Sequence, residues 1–281
     1  MIRRILLAAA MTLVLAPQML AGGTGGTWLK TVAAAQKVAK EKNQLILVDM
    51  FAEWCGWCHR FEREVFPSKV FQDATADMVL LRLNTEDGKE GTQMSRKFGI
   101  TSLPTFLLLT PDLTSAGMIR GYAPPEPFVK SLKETRNSHV EFRKRLKNEA
   151  KLDYFQRLNL AKELNARADF DGSVLRLRKL MTEKGVPAAV RDQAYYELAL
   201  AFTMQNKLAE AQKTIRELLM LSRAGDAVER ARLLLGQIYI QQGNLLLARN
   251  EYRNFKDLYP ESPLLGNIEQ VLAELEKRVP D

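Results

Sequence analysis

Near Val140 the hydrophobic pattern of this 281-residue chain changes period, and that change limits the possible folds more than any other feature. Upstream, short apolar runs at 45–50, 78–84 and 105–110 have the length and continuity of strands buried on both faces. Helical stripes separate them at 28–40, after Cys58 as far as Pro67, and at 93–98. A turn at 111–117, a short strand at 118–121 and a closing helix at 126–136 complete the pattern. Strand–helix alternation followed by a hairpin predicts an α/β layer, a central mixed sheet flanked by helices. Downstream, strand signals vanish and Leu, Ala, Glu, Lys and Arg recur at helical spacing, which predicts an all-α unit.

The helical half repeats itself. Leu235-Gly236, Tyr239, Gly243, Ala248, Tyr252 and Phe255 find counterparts 37 residues earlier in Leu198-Ala199, Phe202, Asn206, Ala211, Ile215 and Leu218. A further 38 residues back stand Leu160-Ala161, Leu164, Ala168, Ser173, Leu177 and Leu180. Small residues occupy slots where two helices approach closely, and large apolar ones face the partner helix. The pattern resembles the tetratricopeptide repeat, in three copies with a capping helix at 268–278. The resemblance implies a surface that recruits a protein partner.

Arg3 and Arg4, the apolar run 5–15 and the approach to position 21 read as a secretory signal peptide, 1–21. The run is shorter than the ~20 residues that span a bilayer. An uncleaved anchor is the alternative, because Met19 is not the small residue preferred near a cleavage site. The remaining units are a Gly-rich linker at 22–27, the α/β unit at 28–139 and the helical repeats at 140–281. The expected location is the periplasm or another exported compartment. Net charge is +8, or +6 with Arg3 and Arg4 set aside, and no dense basic block carries interleaved aromatics. A nucleic-acid partner is therefore not expected.

The chain has two cysteines, Cys55 and Cys58, three residues apart. A bridge that short closes almost no loop and adds little stability, so the pair reads as chemistry rather than a staple. A sulfur at a helix N-terminus faces unpaired N–H groups and the positive end of the helix dipole, which favours thiolate. Cys55 is then the nucleophile, and Cys58, one turn on, the resolving thiol. Trp54 and Trp57 flank the sulfurs at a turn and are expected on the rim of a substrate groove, with Gly56 between them. Trp28 is expected in the core.

The surrounding residues resemble the thioredoxin superfamily over about 45–132. Val48-Asp49-Met50-Phe51-Ala52-Glu53-Trp54-Cys55-Gly56-Trp57-Cys58 is similar to that family's active-site strand and turn. The resemblance implies that Asp49 is a buried carboxylate moving a proton for Cys58, with a raised pKa. Arg82 stands where the family has a lysine, and its permanent charge opposes that rise. Phe98-Gly99-Ile100-Thr101-Ser102-Leu103-Pro104-Thr105 is similar to the family's cis-proline segment, which places Leu103, Pro104 and Gly121 along the groove. Ala52-Glu53-Trp54-Cys55, Phe61-Glu62 and Phe66 resemble the exported C-terminal domain of the DsbD electron transporter. Gly56-Trp57 departs from the thioredoxin Gly-Pro, so the direction of electron flow is not carried over. The DsbD likeness favours a reductase or isomerase.

These residues predict a thiol–disulfide oxidoreductase acting on protein thiols and disulfides, without a dissociable cofactor. With no third cysteine to recharge the pair, it requires an external redox partner, such as a membrane electron transporter. Another class remains open: an adaptor or assembly protein whose repeats do the main work, with the α/β unit as a binding module. Cys55-Gly56-Trp57-Cys58-His59 also spells the c-type haem attachment motif. The upstream strand, Asp49 and the proline loop are not needed for haem and weigh against it. No metal site is expected: besides His59 there is only His139, read as a solvated surface residue.

Overall fold

The computed structural model describes residues 27–279. The expected leader, and the linker up to residue 26, lie outside them. The first element is not the helix expected from position 28. Leu29 instead forms a parallel bridge with Leu81, its N–H donating to Leu80 O at 2.9 Å. Trp28, expected in the core, is half-buried and packs onto its margin through Phe66, with ring centroids 4.6 Å apart. The bridge covers an otherwise open sheet edge, a long-range gain that helical periodicity cannot register. Helix α1 (Val32–Lys42) follows, capped by the Thr31 side chain and closed by Asn43 in the left-handed region.

Strands β1 (Ile46–Phe51), β2 (Val79–Asn84), β3 (Thr105–Leu109) and β4 (Ser115–Arg120) form one sheet in the order β2-β1-β3-β4. β1 runs parallel to β2 and antiparallel to β3, and β4 is antiparallel to β3. One face buries Leu47, Leu80, Phe106 and Leu108 beneath Phe61, Phe71 and Phe128. The other buries Val48, Met50, Leu81 and Leu107 against Ala35, Ala39 and Met94. Cover on both faces is why these strands read as continuous apolar runs. Helices α2 (Gly56–Glu64), α3 (Lys69–Thr75) and α4 (Glu90–Phe98) connect the strands. The short α3, which begins at its Ser68 cap, carries too few turns to show in the sequence pattern.

β4 begins at Ser115, three residues before the expected start. The extra pairing comes from outside the α/β unit: Ser115 N–H donates to Arg167 O at 2.7 Å. Helix α5 (Pro125–Lys147) also outruns its expected end at 136, because no breaker intervenes before Asn148. One continuous helix thus runs through position 139 into the helical half. There, after a 3-10 turn at Glu149–Lys151, the helices α6 (Tyr154–Ala166) and α7 (Phe170–Thr182) form a hairpin. α8 (Ala188–Met204) pairs with α9 (Leu208–Leu221), and α10 (Asp226–Gln241) with α11 (Leu245–Leu258). α12 (Leu265–Arg278) covers the last hairpin through Ile268, Leu272 and Leu275. The architecture is an α/β unit followed by stacked helical hairpins. Among the described residues no helix is long and apolar enough to cross a membrane.

Candidate active site

β1 ends at Phe51, and three residues later the chain turns into α2. Cys55 is the N-cap of that helix: its Sγ accepts the Cys58 N–H at 3.1 Å, and its carbonyl accepts from His59 N–H. Cys55 and Cys58 are joined as a disulfide, both almost fully buried. The cap geometry places the Cys55 sulfur at the positive end of α2, where a negative charge is stabilised.

Asp49 sits in the middle of β1, 2% exposed, opposite Arg82 of β2 and Phe106 of β3. Burial pushes its pKa up from 3.8 to about 7, even though Arg82 and Lys30 pull it down. Arg82 Nε lies 3.0 Å from Asp49 Oδ2, an ion pair off the line of the N–H, and the guanidinium stacks 4.0 Å over the Phe51 ring. Its other end pairs with Glu62 of α2. Desolvation wins over the arginine because the carboxylate has almost no water left. The expected opposition by Arg82 is present and insufficient.

Leu103–Pro104 is cis, and Pro104 O accepts the Gly121 N–H at 2.9 Å. Gly121, with φ 83°, ends β4 in a conformation that an L side chain rarely adopts. Trp57, Leu103, Pro104, Gly121 and Tyr122 line a groove of about 250 Å³. Gly56 opens α2 above the disulfide with free space around its Cα. Trp57 and Trp54 are 54% and 69% exposed, the two large apolar surfaces at the site. Trp54 does not join the groove, because its Nε1 donates to Glu86 at 2.9 Å on the β2 side. The fold therefore gathers Trp57, which lies between the two bridged cysteines, with Leu103, Pro104, Gly121 and Tyr122, buries Asp49 on β1, and turns Trp54 outward.

Several neighbours escaped the sequence reading. Tyr122 lies 5.2 Å from Trp57, holds Glu64 with its hydroxyl, and carries Arg60 4.8 Å over its ring. Its position directly after Gly121 was the available signal. The Arg82–Glu62 pair links residues 20 apart on different elements, which no local pattern announces. His139 is a correction. It is half-buried, its Nδ1 has no hydrogen-bond partner among the described residues, and burial lowers its pKa. The extension of α5 carries it into the junction with the helical half, beside Arg143 and Asp169.

Among the described residues no cluster of three or more His, Cys, Asp or Glu is arranged to hold a metal ion. Residues 32–136 match the family model described as a thioredoxin-like domain. The chain is 27% identical over 105 residues to the thiol:disulfide interchange protein DsbD of Pasteurella multocida, covering 36% of this chain and 18% of that protein. It is 32% identical over 83 residues to the protein of the same name from Escherichia coli K12, covering 29% and 15%. The chain thus spans less than a fifth of the length of these curated relatives. The oxidised DsbD C-terminal domain of Neisseria meningitidis superposes with a TM-score of 0.33 and 16% identity, over 37% of this chain and 91% of that one. A thioredoxin from Thermus thermophilus gives 0.35 and 19%, over 38% and 85%. Strand order, buried aspartate, disulfide at a helix start and the family match converge: residues 32–136 of this chain form a thioredoxin-like domain.

Proposed function

We propose that this chain is an exported thiol–disulfide oxidoreductase that works on protein substrates in the reductase or isomerase direction. The observation that carries the reading is the Cys55–Cys58 disulfide at the start of α2, in the same unit as a buried Asp49 whose pKa lies near neutrality. In the reduced enzyme the Cys55 thiolate attacks a substrate disulfide, forming a mixed disulfide and expelling one substrate thiolate. Asp49 takes the Cys58 proton. The Cys58 thiolate then attacks the Cys55 sulfur, expels the second substrate thiolate and closes the bond seen here. Two electrons pass to the substrate, and an external dithiol donor of the membrane-transporter class restores them. Trp57, Leu103, Pro104, Gly121 and Tyr122 form the groove, Gly56 opens the helix that carries Trp57, and Trp54 presents apolar surface on the β2 side.

The leader expected at 1–21 supports export, and α5, within which the expected 139/140 boundary falls, joins the catalytic unit to repeats that recruit a protein partner. The reading is tested by reduction of a disulfide protein with a dithiol donor. Cys55→Ser abolishes turnover, and Cys58→Ser accumulates mixed disulfides through Cys55. Full activity of the doubly substituted chain in cells overturns the enzymatic role and leaves the repeats as the working part. A reduction potential near about −270 mV fits a reductase, and one near about −120 mV reverses the assigned direction.

A further inference from the structure

Where the helical half meets the sheet, the molecule holds a half-open cleft of about 780 Å³, far larger than the groove at the disulfide. Its floor follows β4 from Ser115 to Arg120, and its apolar walls are Phe98, Met118, Phe170 and Met204. The next residue, Gly121, lines the groove at Trp57, so the two depressions are lined by successive residues of one chain segment. β4 is the last strand of the sheet. Arg167 occupies the beginning of its outer edge, with its carbonyl and guanidinium bonded to Ser115 and Ala116. The rest of that edge faces the cleft without a strand partner among the described residues, the arrangement that receives an extended peptide by strand addition.

The charge of the cleft selects the occupant. Arg96 and Arg120 have no ion-pair partner among the described residues, and the Lys97 ammonium is met by the Leu113 carbonyl. Of the two acids present, Glu163 is already held by Arg145 and Arg167, which leaves Glu134 as the one without an ion-pair partner among the described residues. Three cations facing one free carboxylate favour an acidic segment, and apolar walls of this size take an apolar side chain from it.

We propose that this cleft is an extended client site, in which an acidic segment flanking the target disulfide runs along β4 while the disulfide lies at Cys55. The helical half thereby builds part of the substrate site, completing one wall with Phe170 and Met204. This rests on the disulfide-exchange reading above. The four β4 residues beyond the Arg167 contacts, Gly117 to Arg120, at about 3.3 Å each give a track of about 13 Å, enough for the nearest four or so residues of a flank.

The test uses the full chain and two synthetic peptides with the same central disulfide, one flanked on both sides by six residues rich in Asp and Glu, the other by Ser and Gly. The native protein is expected to reduce the acidic peptide with a kcat/KM about tenfold above the neutral one, an advantage that fades with added salt. Arg96→Glu with Arg120→Glu should erase the advantage and leave the neutral peptide unchanged. Equal rates for both peptides, or an advantage that survives the double substitution, overturns the proposal. A cysteine-free fluorescent version of the acidic flank separates this from failure of the catalytic reading. If neither peptide is reduced, binding to the native chain that the double variant loses retains the cleft as an acidic-peptide site, and absence of binding overturns it.

Discussion

Asp49 keeps its proton to about pH 7, whereas the unperturbed value is 3.8, and the sign of that shift has two consequences. Between those values the folded chain binds the proton that the unfolded chain has released. The associated stability is therefore full below about pH 4 and is lost as pH rises through about 7, on the order of 4 kcal/mol for three units at 1.36 kcal/mol each. Asp49→Asn is expected to gain a few kcal/mol over the native chain at pH 8 and nothing at pH 4, measured by urea unfolding, while slowing resolution of the mixed disulfide. Arg82→Met removes the opposing charge and should move the midpoint of the pH–rate profile upward by about one to three units. A downward move would refute the ion pair as the restraint. Cys55 and Cys58 were legible as a local motif, and Asp49 and Pro104 through the resemblance of the residues around it. Glu62, Glu86 and Tyr122 were not, because their meaning comes from partners 20 to 58 residues away.

At the scale of elements, the three helical hairpins turn at the same slot of the repeat. Ala168 (φ 57°), Asn206 (φ 58°) and Gly243 (φ 75°) all adopt the left-handed conformation between the helices. The small-residue slots also serve one purpose. Ser173 donates to Ala161 O across the first hairpin at 2.8 Å, and Gly236 lets the Tyr252 ring lie against α10 in the third. A Cβ at position 236 would stand 2.4 Å from that ring, which is buried and unable to move aside. Gly236→Ala is thus expected to lose about 1–3 kcal/mol by overpacking, despite alanine's better helix propensity, and a lowered midpoint in chemical denaturation is the check. The i, i+3/i+4 stripes made these helices readable. The ends of α1, β4 and α5 were not, since a strand bridge, an interdomain bond and the absence of a breaker set them.

Across the whole molecule, Arg167 is a contact that ties the helical half directly to the sheet. It bonds the Ser115 and Ala116 carbonyls, pairs with Glu163, and lies 4.1 Å over Phe142 of α5. Arg167→Ala should weaken the coupling by about 2–3 kcal/mol, splitting a single thermal transition into two and exposing the α5 junction to protease. An unchanged single transition would show that α5 alone couples the halves. Hydrophobic period and a contiguous motif determined, without any structure, that the chain is a mixed-sheet unit followed by helical hairpins, and where its paired cysteines lie. Both signals are local, carried by residues within a few turns or one strand of each other. Only the tertiary structure decided how far Asp49's pKa rises, which residue bonds the start of β4, and that a basic cleft lies along the rest of that strand. Desolvation and charge balance depend on which distant side chains arrive beside a group, and only the packed chain brings them there.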